Sequence, residues 1–203
     1  MYIPAAFNVD DLPTLHAFMR QHSFATLVTP HGKECAVSHV PLLIEDGGRL
    51  GRLVGHVARA NEHWKTLAAG ADTLAIFHGP HAYISPSWYQ TQPSVPTWNY
   101  AAVHASGRAS LIEEASAVHE LLVKMVRFYE SSFAKPWQAD EEFLRKLMPQ
   151  IVAFEIEITK VEGKFKLSQN RPKDIPSVIA ALEQSSDAAA RETAALMKRA
   201  SGL

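Results

Sequence analysis

The chain has 203 residues, of which 47% are hydrophobic and 20% charged, and its formal net charge at pH 7 is −1. This composition is typical of a globular protein and lacks the basic excess of a nucleic-acid-binding protein. Cys35 is the only cysteine, which excludes an internal disulfide and a thiolate zinc site within one chain. No apolar run reaches the roughly 18 residues of a membrane span, and no signal-peptide pattern opens the chain, so we expect a cytoplasmic protein.

The first half of the sequence predicts a strand-rich domain with two short helices. Helices are predicted over 11–22 and over 62–70, the second capped by Asn61. Strand patterns joined by Gly-containing turns cover 24–30, 34–45, 52–58, 72–79, 82–85 and 97–113. The Gly79-Pro80 pair predicts a break between two of these strands, and Gly107 predicts a bulge in the last.

The second half begins with helical periodicity. Helices are predicted over 114–133 and 139–148, before an alternating strand over 151–163 and an alanine-rich helical tail over 174–203. Six or more antiparallel strands with few intervening helices predict a mainly β or α+β fold built on a small barrel.

The most informative stretch of the sequence runs from His78 to Gly107. It contains two of the four tryptophans, three of the five tyrosines and four prolines. Aromatic rings with polar tips on a proline-restricted backbone are suited to lining a concave site, whereas flexible linkers are rich in Gly and Ser. This segment therefore predicts one wall of a site for a planar ligand.

Metal and nucleophile chemistry receive little support from the sequence. His78 and His81 flank a turn without the three or four convergent ligands that zinc requires, so no metal is predicted. Cys35 lies in a predicted strand and is expected to be a buried, unreactive thiol. No Gly-Xaa-Ser-Xaa-Gly elbow is present, which argues against a serine hydrolase.

Phosphate binding is suggested by the strand-to-helix segment GHVARANEHW, which starts at Gly55. Arg59 follows the strand, and Asn61 begins the predicted helix, where free backbone N–H groups favour an anion. An equally good interpretation is that Arg59 only solvates the end of the strand. The basic run over 160–173 leaves the same two alternatives, a solvated strand edge or a rim for an acidic ligand.

Several motifs in the same order resemble the PaiB-type FMN-binding proteins, which are described as negative transcriptional regulators. These motifs are MYIPAAF, SHVPLL, GHVARANEHW, FHGPHAYISPSWY, VPTWNYAAVHASG and EGKFKLSQNR, and together they span nearly the whole chain. The resemblance implies a split β-barrel similar to pyridoxamine-phosphate oxidases. It also implies a homodimer with FMN at the subunit interface. Together with the predicted elements, it gives a single FMN-binding domain over 1–203 with a helical insertion at about 114–147 and a helical tail at about 174–203.

The resemblance further implies which residues contact FMN. Arg59 and Asn61 are the expected phosphate ligands. The residues expected to close the ring pocket are Tyr83, Ser85, Trp88, Thr97, Trp98 and Asn99, and those expected from the partner subunit are Lys166, Ser168, Gln169 and Arg171. The full set of expected cofactor-binding residues is Ser38, His39, Val40, Pro41, His56, Val57, Ala58, Arg59, Asn61, Trp88, Thr97, Trp98, Asn99, Lys166 and Gln169. Oxidase relatives carry a basic phosphate set where this chain has His39 and Pro41, which argues against oxidase activity.

Three functions are compatible with these expectations. The first is an FMN-binding regulator or flavin-dependent sensor. The second is a flavin-dependent oxidoreductase acting on a small molecule, and the third is a haem-binding or haem-degrading split barrel, for which no histidine stands out as an axial ligand. Direct DNA binding is not expected, because no helix-turn-helix pattern is present and the tail helix has mixed charge.

Overall fold

The computed structural model describes residues 1–138 and 140–203. Within them, the strands are β1 (Asn8–Val9), β2 (Phe24–His31), β3 (Glu34–Glu45), β4 (Arg52–Ala58), β5 (Asp72–Ile84), β6 (Thr97–Ile112) and β7 (Ile151–Lys166). The α-helices are α1 (Leu12–Gln21), α2 (His63–Ala68), α3 (Ala115–Glu130), α4 (Glu141–Leu147), α5 (Ile175–Glu183) and α6 (Ala188–Ser201). Short 3₁₀ helices cover Ala5–Phe7, Pro86–Trp88, Met148–Gln150 and Pro172–Asp174.

The strands form one seven-stranded sheet in the order β1-β7-β4-β3-β2-β5-β6. A further pairing of β7 with β6 closes six of the strands into a ring. The registered pairs β1–β7, β2–β3, β2–β5, β3–β4 and β4–β7 are all antiparallel. The predicted mainly β or α+β fold with a barrel of antiparallel strands is therefore confirmed.

The hairpin strands were well predicted because turn chemistry and alternation agree. In β2–β3 the register pairs Leu27 with Ser38 and Val28 with Val37, and a tight turn at Gly32 (φ 61°) joins the strands. Glycine adopts a positive φ without steric cost, which allows a tight turn at this position. A tight turn sets the register of the two strands, and this register agrees with the one that the alternating pattern favours. The predicted bounds of β3 and β4 agree with the structure.

One break that the sequence predicts is absent. Residues Asp72–Ile84 form a single strand, β5, that passes through Gly79 and Pro80 without interruption. Proline is tolerated in a strand where no ladder hydrogen bond requires its missing N–H, so the pair does not force a turn. The prediction of two short strands over 72–79 and 82–85 is therefore wrong.

Gly107 lies within the continuous strand β6, where its lack of a side chain has a steric reason. A Cβ atom at this position would lie 2.0 Å from the carbonyl oxygen of Glu157 on β7. Such a contact is impossible without moving the backbone of β7. The close approach of the two strands explains the glycine.

The predicted insertion contains the two helices α3 and α4. Helix α3 begins after Glu114, whose carboxylate accepts hydrogen bonds from the backbone N–H groups of Ser116 and Ala117. The apolar face of α3 joins the core cluster formed by Leu43, Val54, Val118, Leu121, Met125 and Ala153. Of the predicted second helix over 139–148, residue 139 lies outside the described residues, and the observed helix α4 begins at Glu141.

Contacts divide the chain into two compact units. Unit 1 comprises Met1–Phe18, His78–His104 and Glu162–Leu203, and unit 2 comprises Met19–Phe77 and Ala105–Val161. The organisation of the chain as a single FMN-binding domain stays a prediction. No helix among the described residues is long and apolar enough to cross a membrane.

Candidate functional site

The expected FMN contacts fall into one set in each unit. Unit 2 holds the β3 and β4 positions Ser38, His39, Val40, Pro41, His56, Val57 and Ala58, and also Arg59 and Asn61, which follow β4. Unit 1 holds Trp88, Thr97, Trp98, Asn99, Lys166 and Gln169.

In unit 2, Ser38 belongs to a chain of buried hydrogen bonds. Its Oγ lies 2.9 Å from Nδ1 of His63 and accepts a hydrogen bond of 2.9 Å from Nδ2 of Asn61. On the other side of the imidazole, Nε2 of His63 lies 2.9 Å from Oγ1 of Thr29, which lies 2.9 Å from Oγ1 of Thr73. The chain ends where Thr73 donates to the carbonyl oxygen of Ala71 at 3.1 Å.

The Ala71 carbonyl at one end of this chain determines which hydroxyl groups donate and which accept. The Thr73 hydroxyl donates to a carbonyl, so it accepts from Thr29, and Thr29 in turn accepts from Nε2–H of His63. Burial lowers the pKa of His63, which favours the neutral imidazole. With the proton on Nε2, the neutral ring has a lone pair on Nδ1, and this lone pair accepts from the Ser38 hydroxyl.

Asn61 and Arg59, the expected phosphate ligands, already make bonds within unit 2. The Asn61 Oδ1 atom accepts from the backbone N–H of His63 at 3.1 Å, so Asn61 satisfies a free N–H at the start of α2. Helix α2 begins at His63, one residue later than predicted. Arg59 donates from Nε to the carbonyl oxygen of Pro149 and from Nη2 to that of Ile151, both at 2.8 Å. These bonds engage two of the five N–H groups of the exposed guanidinium.

The other expected contacts in unit 2 differ in exposure along the strands. His39 is exposed, with its Nδ1 3.1 Å from Oγ1 of Thr26. Val40 and Val57 are buried in the core. Ala58 is exposed, whereas Pro41 and His56 are half-buried and line a common cavity.

In unit 1, Lys166 connects two of the expected contacts. Its Nζ donates to Oγ1 of Thr97 and to the carbonyl oxygen of Trp98, both at 2.7 Å, and lies 5.8 Å from the centre of the Phe7 ring. Burial, with a smaller contribution from nearby Lys164, lowers the pKa of Lys166. The ammonium retains one N–H beyond these two bonds, which suits it to an acceptor on a ligand.

Asn99 is fully buried and contacts the C-terminal part of the chain. Its Nδ2 donates to Oγ of Ser168 at 2.9 Å and approaches Sδ of Met197 on α6 at 3.4 Å. Its Oδ1 atom is buried and has no hydrogen-bond partner among the described residues. Asn99 therefore contributes to the packing of α6 within unit 1.

Gln169 shapes the turn that follows β7. Its Oε1 accepts from the backbone N–H of Leu167 at 2.7 Å, and its Nε2 donates to the carbonyl oxygen of Phe165 at 2.5 Å. Ser168, between Leu167 and Gln169, has φ 67°, a left-handed conformation that is uncommon for a residue with a side chain. Gln169 compensates for this backbone conformation by local hydrogen bonds.

The rings of the aromatic segment form an exposed cluster on β5 and β6. Trp98 and Tyr83 are about half exposed, and their ring centres are 6.0 Å apart. His81 lies 6.1 Å from Trp98 and 4.9 Å from His78. Trp88 lies between Tyr83 and Trp98 in sequence, in a 3₁₀ helix capped by Ser85.

The loop after that 3₁₀ helix is held by a residue that the sequence patterns did not single out. Asp174 is almost fully buried and accepts hydrogen bonds from the backbone N–H groups of Gln90 and Thr91 and from the Thr91 hydroxyl. The Thr91 hydroxyl is the largest influence that lowers the pKa of this carboxyl. Arg171 donates to Ser94 at 2.9 Å and lies over the Tyr89 ring, so it also holds this loop.

The sequence patterns also did not single out the role of His63 in the buried hydrogen-bond chain of unit 2. A single histidine in a short helix has no characteristic spacing to other polar residues that would predict such a role.

Two other expectations concern reactive groups. Cys35 is exposed, so the prediction of a buried thiol is wrong; the strand alternation assigned it to the core, but it lies near the end of the β2–β3 hairpin. Ser38, although bonded to a histidine, is buried and is not presented to a substrate. The described residues contain no group of three or more His, Cys, Asp or Glu side chains suited to a metal ion.

Comparison with solved structures supports the fold. The FAD and heme binding protein from Mycobacterium smegmatis superimposes with a TM-score of 0.63 over 78% of this chain and 73% of that one, at 14% identity. The flavocytochrome Anf3 from Azotobacter vinelandii gives a TM-score of 0.59 over 78% and 69% of the two chains, at 16% identity. At these identities the similarity concerns the fold alone.

Sequence comparison defines the family. The protease synthase and sporulation protein PAI 2 of Bacillus subtilis is 37% identical over 202 residues, which cover 98% of this chain and 97% of that protein. An uncharacterized protein of Emericella nidulans is 27% identical, covering 83% and 84% of the two chains. A family model described as "Putative FMN-binding domain" matches residues 1–160. The chain therefore belongs to this PaiB-type FMN-binding domain family, and FMN is the cofactor that membership assigns to it.

Proposed function

We propose that the protein is an FMN-binding regulatory protein that responds to the state of its flavin. The observation that carries the proposal is the match to the FMN-binding family over residues 1–160, together with 37% identity along nearly the whole length of PAI 2. FMN supplies reversible one- or two-electron chemistry when bound. The residues of this chain bind and orient it.

The side chains of unit 2 fit the phosphate group of FMN. Arg59 is fixed by two backbone carbonyls, which leave three guanidinium N–H groups at the exposed end of β4. A fixed guanidinium binds a phosphate with little loss of side-chain freedom. We therefore propose Arg59 as the principal phosphate ligand, with Asn61 maintaining the local backbone through its bonds to Ser38 and His63.

The side chains of unit 1 fit a planar ring with hydrogen-bond acceptors. Trp98 and Tyr83 present exposed aromatic faces, and Lys166 fixes the backbone at Trp98 while keeping one N–H. Ring stacking and a cationic donor suit the isoalloxazine group. We propose Trp98, Thr97 and Lys166 as ring contacts, and we assign Asn99 and Gln169 to maintaining the turn and the packing around them.

The test is the absorbance spectrum of the purified protein followed by a titration with FMN. A flavin spectrum is expected, and FMN at about 100 times its Kd should stabilise the protein by about 2.7 kcal/mol. A colourless protein whose Tm is unaffected by FMN would contradict the proposal. Steady NAD(P)H turnover would identify an oxidoreductase instead, and a Soret band would identify a haem protein.

The regulatory part of the proposal concerns indirect control rather than direct operator binding. With a net charge of −1, the chain has little capacity to displace counterions from DNA. Gel-shift assays at physiological salt should show only weak, salt-sensitive binding. A specific nanomolar footprint would refute this part of the proposal while leaving FMN binding intact.

A further inference from the structure

An open cavity of about 350 Å³ lies within unit 2 between the sheet and helix α3. Pro41 of β3 and His56 of β4 line one side, and Met125, Val126 and Tyr129 of α3 line the other, with Trp137 at the edge. This volume is at the lower end of the range for small-molecule sites. The walls are mostly apolar and include one carboxylate, that of Glu130, so the cavity suits an uncharged ring and disfavours an anion.

The residues that form this cavity are held in place by the rest of unit 2. Met125 belongs to the core cluster that fixes α3 against the sheet. The Tyr129 hydroxyl donates to Oγ of Ser23 at 2.9 Å, and the backbone N–H of Trp137 donates to Oε2 of Glu130 at 2.6 Å. The cavity is therefore preorganised, which lowers the entropic cost of binding.

His56 and Glu130 are the titratable residues of the lining other than Tyr129, whose hydroxyl already donates within unit 2. Oε2 of Glu130 already accepts from the backbone N–H of Trp137, so His56 is the candidate hydrogen-bond donor. Its Nδ1 atom is buried and has no hydrogen-bond partner among the described residues. Burial lowers the pKa of His56, so the ring is neutral at pH 7. Orphaned buried backbone N–H groups are rarer than under-satisfied carbonyl groups. By the same reasoning we place the lone pair on Nδ1 and the proton on Nε2. The ring is then a hydrogen-bond donor through Nε2.

We propose that this cavity binds an uncharged, planar aromatic compound that carries a carbonyl oxygen, with the carbonyl accepting from His56 and the ring packing against Tyr129 and Trp137. The family resemblance also implies that Pro41 and His56 contact FMN. The inference therefore rests on the proposed function in one respect: the bound compound is the substrate or signal that meets the flavin. The helical insertion, through α3 and Trp137, sets its specificity.

Coumarin, a neutral bicyclic lactone, is the probe, and calorimetric titration into the purified protein measures its affinity with and without added FMN. Saturable binding is expected in both cases. Val126→Trp, which fills the cavity, should weaken coumarin binding at least tenfold. Trp137→Ala, at a half-exposed position, should weaken coumarin binding several-fold with less risk to folding. His56→Phe, which keeps a ring but removes the donor, should weaken it about tenfold. Val37→Trp, at an exposed position on β3, is the matched control and should leave the affinity unchanged.

The outcomes separate this inference from the proposed function. No saturable binding of coumarin, or binding that Val126→Trp and Trp137→Ala leave unchanged, would overturn the inference. Full displacement of coumarin by FMN would also overturn it, because the cavity would then hold the flavin ring. If coumarin binds with the expected sensitivity to these variants but FMN does not bind, the proposed function fails and the cavity assignment stands.

Discussion

At the scale of single residues, several side chains that resemblance associates with FMN have a structural role in this chain. Ser38 and Asn61 belong to the buried hydrogen-bond chain through His63, and Gln169 stabilises a left-handed residue by bonds to the backbone. Arg59 differs from them because its bonds to carbonyl groups leave N–H groups free. This difference determines which substitutions should affect FMN binding directly.

Arg59→Ala should weaken FMN binding by about 2–3 kcal/mol, since hydrogen bonds between charged groups contribute more than neutral ones. The variant should also lose some stability, because Arg59 donates to Pro149 and Ile151. Fluorescence titration with FMN measures the first effect and urea unfolding the second. Arg49→Ala, at an exposed turn position, is the control. An unchanged FMN affinity would remove Arg59 from the phosphate role.

The neutral state of His63 predicts a loss of stability in acid. Burial holds its folded-state pKa below the unfolded value of about 6.5, so its contribution is complete above that pH and is lost as the pH falls toward the folded pKa. Protonation would also remove the lone pair that accepts from Ser38. The free energy of unfolding of the wild type should therefore fall between pH 7.5 and pH 5.5.

The variant His63→Gln tests the assignment, because its unfolding free energy should depend less on pH over the same interval. Burial also lowers the pKa values of His56, His78 and His104, so part of the wild-type dependence should persist. The exposed His39→Gln serves as control. An identical pH dependence in the wild type and His63→Gln would contradict the proton assignment.

At the scale of elements, the close approach of β6 and β7 constrains the sequence. Gly107 faces the backbone of Glu157, and Gly163 faces β1 and α1, where a Cβ would lie 2.2 Å from Cδ2 of Leu15. The alternating pattern predicted both strands but not their pairing, because pairing depends on residues about 50 positions apart. The length of β5 was misjudged for a related reason: a Gly-Pro pair ends a strand only if a neighbouring strand requires the missing N–H group.

Gly107→Ala should destabilise the protein by about 3 kcal/mol or more, because the added methyl group overlaps a backbone carbonyl that cannot move independently. Thermal and urea unfolding measure the loss. Gly47→Ala is the matched control, since its Cβ would meet only the flexible side chain of Arg52 at 3.3 Å. Equal stability of the two variants would show that β7 shifts to accommodate the methyl group.

At the scale of the whole molecule, the family assignment implies an assembly that one chain does not display. The resemblance predicts a homodimer with FMN at the subunit interface. Light scattering should therefore give a mass about twice the 22.4 kDa of the chain, with or without FMN. A monomer at micromolar concentration would contradict this prediction without affecting the assignment of the fold.

Local periodicity, turn residues and consecutive motifs are sufficient to predict the hairpin strands, the long strands β6 and β7, the helices of the insertion and the family. They do not predict that β6 pairs with β7 to close the ring or that Ser38 and Asn61 bond to His63. Nor do they predict that Asp174 holds the loop at Thr91, 83 residues away. These contacts join residues distant in sequence, and a buried polar group takes whichever partner the fold brings within hydrogen-bonding distance.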